Sequence, residues 1–113
     1  MLLIYGNHAA WDRMTEADWA ENEAVHGRLI AELKSTGELL EVNELLPEHS
    51  RIVRTTKGVP NVTEGAYNES VEFVSGYYLL NCAGINRASE IAGKLAEAEF
   101  SLIEVRGTAP EPS

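Results

Sequence analysis

Between Thr15 and Gly37 the sequence specifies one long helix, and that element decides what the rest of the chain must supply. "TEAD" (15–18) has the hydroxyl-x-x-acid form of a capping box, so the helix starts near Thr15. Trp19, Val25, Leu29, Ile30 and Leu33 then fall on one stripe, with spacings of three and four among its members. The stripe runs to about Ser35, and Gly37 stops it. His26 belongs to it too: seven residues after Trp19, four before Ile30 and seven before Leu33. A helix apolar on one side needs a second layer to lie against, and this one turns an imidazole toward that layer.

The second layer is written in short strands. "LLIYG" (2–6) is an apolar run closed by glycine and reads as a buried strand, followed by "NHAAWDRM" as a loop. "ELLEVNELL" (38–46) is bounded by Gly37 and Pro47 and reads as a short strand or extended segment. "RIVRTT" (51–56) is β-branched and alternating, Lys57–Gly58 makes a turn, and "VPNVT" returns as an edge because of Pro60. "EFVSGYYLLN" (72–81) is the strongest strand, with Gly76 as a candidate bulge. "GINRASEIAGKLAEAE" carries Ala88, Ile91, Ala92, Leu95 and Ala96 as a second amphipathic helix, and "FSLIEVR" (100–106) is the last strand. Residues 1–106 form one expected domain, and 107–113 a flexible polar tail.

This order predicts an α+β fold: a split, ferredoxin-like βαββαβ sandwich with a β-hairpin insert and both helices on one face of a mostly antiparallel sheet. Two helices cover one face only. Yet "LLIY", "YYLL" and "SLIEV" place apolar side chains on both, since neighbouring strand residues point oppositely. A second copy is expected to cover the other face, giving a homodimer.

Charge narrows the function classes. There are 18 acids against 9 lysines and arginines, a net charge of −9 that repels a phosphate backbone, so no nucleic-acid partner is expected. Arg51, Arg54 and Lys57 form the nearest thing to a basic patch. Arg54 can attract an anionic substrate, although edge-strand protection explains such charges more simply. The N-terminal apolar run is too short for a signal peptide and nothing approaches a membrane span. The expectation is a cytoplasmic protein without membrane association. The single cysteine, Cys82, allows no intrachain disulfide and reads as a half-buried thiol. His8 and His49 lack partners at metal-ligand spacing, and no phosphate loop or dinucleotide fingerprint is present, so neither metal nor cofactor is expected.

His26 and the acids of "NVTEGAYNES" (61–70) remain. Singly, His26 reads as a core histidine, and Glu64 and Glu69 as solvated residues of a connection. Together, a histidine and a carboxylate at the rim of a helix–sheet cleft form a reasonable proton-transfer pair, with Glu64 orienting His26. Tyr67, in the same connection, packs or covers a ligand.

The segment order, with "LLIYG", "HGRLIAELKSTGELL", "VTEGAYNESVEFVSGYYLLN" and "SLIEVR", resembles the bacterial YCII-related family and its DGPF branch across nearly the whole chain. The resemblance implies the ferredoxin-like dimer known as a dimeric α/β barrel. It also implies a pocket lined by a helix histidine and an aspartate, proposed in that family as an acid/base pair. One branch includes an enzyme that eliminates chloride from a chlorinated hydroxyquinone. His26 matches the helix histidine. Glu64-Gly65-Ala66-Tyr67 stands where the branch has Asp-Gly-Pro-Phe, and Glu69 matches the acid that follows. Glutamate keeps the charge but carries the carboxylate one methylene further out.

The expected function is therefore acid/base chemistry, elimination or isomerisation, on a small organic molecule, with His26 and Glu64 catalytic and Tyr67, Glu69 and Arg54 in contact with substrate. The competing expectation is a non-catalytic ligand-binding or regulatory dimer. The resemblance links that reading to extracytoplasmic sigma factors.

Overall fold

The computed structural model describes residues 1–65 and 72–109. Strand β1 (Leu2–Asn7) runs into a helical turn, α1 (His8–Asp12), where the sequence reads as a loop. Asn7 explains the difference, because its Oδ1 accepts from the Ala10 N–H at 2.6 Å and caps the turn. The long helix α2 spans Glu16–Thr36. Thr15 and Asp18 form the reciprocal capping box, and Gly37 ends it in the left-handed region at φ 77°.

Strand β2 (Leu39–Glu44) is followed by one tight turn at Pro47–His49. Strands β3 (Arg51–Thr56) and β4 (Val59–Glu64) make a hairpin through Lys57 and Gly58, both at positive φ. Strand β5 is Glu72–Leu80, α3 is Ile85–Ala92, α4 is Glu97–Phe100 and β6 is Ile103–Val105.

Four strands build one sheet in the order β2-β5-β1-β6, every neighbouring pair antiparallel, and β3–β4 form a separate two-stranded sheet. The chain is thus α+β with antiparallel sheets. Alternation along the strands sorts the side chains. Leu2, Ile4 and Tyr78 lie buried in one core with Leu29 and Leu33 of α2 and Ala88, Ile91 and Ala92 of α3. Val42, Leu80, Ile103 and Val105 pack around that core. Leu3, Tyr5, Tyr77 and Leu79 point the other way and are half-buried. No helix among the described residues is long and apolar enough to cross a membrane.

Three local departures shape the site. The sequence reads 84–99 as one helix, but α3 ends at Gly93, and residues 93–96 turn through short-range bonds such as Lys94 N–H to Ile91 O. That break swings Glu97 to the buried side. The bulge in β5 falls on Ser75 rather than Gly76, since Ile4 pairs with Gly76 and Tyr5 with Val74. Gly76 is needed for close approach instead, as a Cβ there lies 3.1 Å from the Asn43 carbonyl. Gly65 is needed for close approach as well, without a positive φ. A Cβ there lands 1.6 Å from Ser50 Oγ, so the hairpin base closes on a missing side chain.

Candidate acid/base site at His26

His26 sits at the midpoint of α2, one turn before Leu29 and Ile30, so the helix packing that buries Leu29 and Leu33 also fixes the imidazole against the sheet. Its Nδ1 is 2.6 Å from Tyr78 Oη, and its Nε2 is 2.7 Å from Glu97 Oε2. The rings of His26 and Tyr78 stack at 5.7 Å with 26° between planes.

The donor roles follow from Tyr78. Its phenol is fully buried, and desolvation, aided by the Glu97 charge, pushes its pKa up, so Tyr78 keeps its proton. Nδ1 is the one hydrogen-bond partner of this hydroxyl among the described residues, so the phenol O–H, which would otherwise be buried without an acceptor, donates to it. Nε2 therefore carries the ring proton and donates to Glu97. Carboxylate, imidazole and phenol form one chain of hydrogen bonds, with Asn22 Nδ2 donating to the same Glu97 oxygen at 3.5 Å. Glu97 is only 8% exposed, and its second oxygen, Oε1, is buried without a hydrogen-bond partner among the described residues; so is Asn22 Oδ1.

These groups wall a cavity of about 700 Å³ between α2 and the sheet. Ile4, Ile30 and Val42 give it an apolar floor, and Trp11 and Trp19 close one side. The two indoles cross edge-to-face at 5.6 Å, and Trp11 rests in the same way on Phe73 at 4.9 Å. Gly6 makes room for Trp11, because a Cβ there would stand 2.7 Å from the indole ring. Glu23 and Glu44 lie at the exposed rim, and no lysine or arginine is among the described lining residues.

Glu64 stands at the end of β4, opposite Arg51, with its carboxylate 3.6 Å from the guanidinium and its side chain 71% exposed. It is not among the residues lining the cavity; the carboxylate that meets His26 is Glu97. Arg54 is exposed on β3, opposite Asn61. Tyr67 and Glu69 lie outside the described residues. His8 stacks obliquely on Phe73 at 5.1 Å, and His49 lies in the turn after β2. Among the described residues no three His, Cys, Asp or Glu side chains gather in a metal-binding group.

Sequence reasoning found His26 but not its partners. For Tyr78 the signal was present, since Tyr77 and Tyr78 must face opposite sides of β5; only which one faced the helices was missing. For Glu97 the signal was Gly93, four residues earlier, which ends α3 and lets an apparently solvated acid turn inward.

Chemically, the chain of bonds can take up a proton. A proton delivered to His26, whose side chain is 21% exposed where Tyr78 is fully buried, makes the ring an imidazolium. The resulting imidazolium keeps both contacts and is stabilised by Glu97. Comparison with protein-family models gives no match to this chain, and comparison with curated proteins gives none.

Proposed function

We propose that this chain is a small acid/base enzyme of the elimination or isomerisation type, acting on an organic molecule held between α2 and the sheet. The observation that carries the reading is the imidazole of His26, held at 2.6 Å by Tyr78 and at 2.7 Å by Glu97 in the wall of a roughly 700 Å³ cavity. A cavity of that size, with apolar walls and a few convergent polar groups, suits a small-molecule site. His26 serves as the proton acceptor and Glu97 as its orienting partner. Tyr78 holds the other ring nitrogen from the buried side. Glu64, although it matches the motif position of the resembled family, pairs with Arg51 and belongs to the hairpin in this reading.

The strand order β2-β5-β1-β6, with α2 and α3 packed on the same face, supports a ferredoxin-like sandwich and with it membership of the YCII-related family. The half-buried apolar face bearing Leu3, Tyr77 and Leu79 supports a homodimer, and we place the protein in the cytoplasm.

The test is isotope exchange. Small carbon acids are incubated with the protein in D₂O, and solvent deuterium entering them is followed by NMR. The enzyme reading expects exchange that falls by a factor of about 10²–10⁴ in His26→Gln, the usual value of a positioned acid/base group. A second reading, a non-catalytic binding dimer, is favoured by the engagement of both imidazole nitrogens by protein groups. Ligand binding at His26 with no exchange into any bound molecule would establish it.

A further inference from the structure

The two buried side-chain atoms of the cavity lining that lack a partner among the described residues are both acceptors. Glu97 Oε1 and Asn22 Oδ1 are both buried without a donor among the described residues, and the Asn22 amide cannot be turned to relieve this. Its Nδ2 already faces Glu97 Oε2, and reversal would set oxygen against oxygen. A buried acceptor left without a donor is costly, so a bound donor is the natural complement. The surroundings add charge. Three carboxylates, Glu23, Glu44 and Glu97, line the cavity without an opposing lysine or arginine among the described residues, and two crossed indoles close its side. Indole faces attract cations, and a chain of net charge −9 draws them from solution.

We propose that the cavity beside His26 takes a ligand bearing a protonated primary amine, its ammonium donating to Glu97 Oε1 and Asn22 Oδ1 and its carbon frame lying against Trp11 and Trp19. The three N–H groups of an ammonium match the two orphaned acceptors plus one rim carboxylate. This inference rests on the reading of the cavity as a ligand site and adds the chemical class of the ligand. An anionic substrate, which Arg54 suggests from the sequence, meets three carboxylates here and no lysine or arginine among the described lining residues.

Three probes of similar shape and different charge test it: phenethylammonium, phenethyl alcohol and 3-phenylpropionate, each titrated into the whole protein and followed through the His26 ring signals by NMR. The expected result is that phenethylammonium binds at least about tenfold more tightly than the alcohol, the value of one charge-assisted hydrogen bond, and that the propionate does not bind. Glu97→Gln should abolish that preference. Glu44→Gln, at an exposed position that cannot disturb the core, should reduce it a few-fold even if Glu97→Gln fails to fold. Equal or tighter binding of the alcohol or the propionate, with His26 signals moving, overturns the amine class while leaving the cavity a ligand site. Failure of all three probes to move the His26 signals overturns both.

Discussion

Nε2 of His26 and Oε2 of Glu97 meet at 2.7 Å across 71 residues of chain, joining α2 to α4. With Tyr78 at the other nitrogen, the arrangement fixes a tautomer. His26 should be protonated at Nε2, visible as the corresponding pair of ring ¹⁵N shifts in a long-range ¹H–¹⁵N spectrum. Tyr78→Phe removes the donor at Nδ1 and should cost about 0.5–1.5 kcal/mol in urea unfolding, the net worth of one hydrogen bond, while the Nε2–H preference weakens. An Nδ1–H tautomer in the unaltered protein would reverse the donor order.

Gly6 controls the aromatic side of the cavity. A methyl group there would come within 2.7–2.9 Å of three indole atoms of Trp11, so the ring must move or β1 must shift. Gly6→Ala should cost about 1–3 kcal/mol, as overpacking does, and shift the tryptophan emission maximum as Trp11 leaves Phe73 and Trp19. Unchanged emission with unchanged stability would mean that the indole is held less tightly than its contacts indicate.

What the sequence made legible was local. The capping box at Thr15 and Asp18, the stop at Gly37 and the turn at Lys57–Gly58 are written within a few residues, and each appears in the structure where those residues place it. The Asn7 cap was equally local but easy to miss, because α1 is too short to show a hydrophobic period. Glu97 was hidden for a different reason. In "AGKLAEAEF" the apolar pattern continues past Gly93, so the glycine marks where the helix can stop, and only tertiary packing decides that it does and that the acid turns under α2. With 18 acids in the chain, no spacing rule singles out the one that folding brings to His26.

Arg87 of α3 reaches back to Glu38, just past the end of α2, through two bonds: Nη2 to Oε1 at 2.9 Å and Nε to Oε2 at 3.0 Å. These bonds, with one from Thr36, lower the Glu38 pKa from 4.5 to about 2. A carboxyl depressed in the folded state contributes stability that is fully present above its unfolded value and is lost as pH falls through its folded value. Stability from this pair should therefore fade between about pH 4.5 and pH 2. Arg87→Met should flatten that part of the curve when urea unfolding is repeated across the window. If both proteins lose stability in parallel from pH 4.5 to pH 2, other carboxylates dominate acid unfolding.

The uncovered face of the sheet yields the last prediction. Leu3, Tyr5, Tyr77 and Leu79 share it, bordered by Glu41 and Glu104, which accept from the phenols of Tyr77 and Tyr5 at 2.6 and 3.1 Å. Leu3 and Leu79 are half-buried, so each forgoes part of the roughly 1.5–3 kcal/mol that full burial of a large aliphatic group returns, and beside the two phenols they offer a surface that a second copy can complete. A two-fold pairing of this face buries it with a single kind of contact. Sedimentation should accordingly give twice the 12.4 kDa chain mass. Leu79 is the residue to change because it stands opposite Glu41 on β2, so a lysine there gains a cross-strand partner and the single chain keeps its fold. In a dimer formed through this face the same charge is buried in the interface, which disfavours association by far more than the local pair returns. Leu79→Lys should therefore sediment as a monomer with an unchanged far-ultraviolet circular dichroism spectrum. A variant that stays dimeric would place the contact elsewhere, and the exposed Val53 and Val62 of the β3–β4 hairpin would be the next surface to alter.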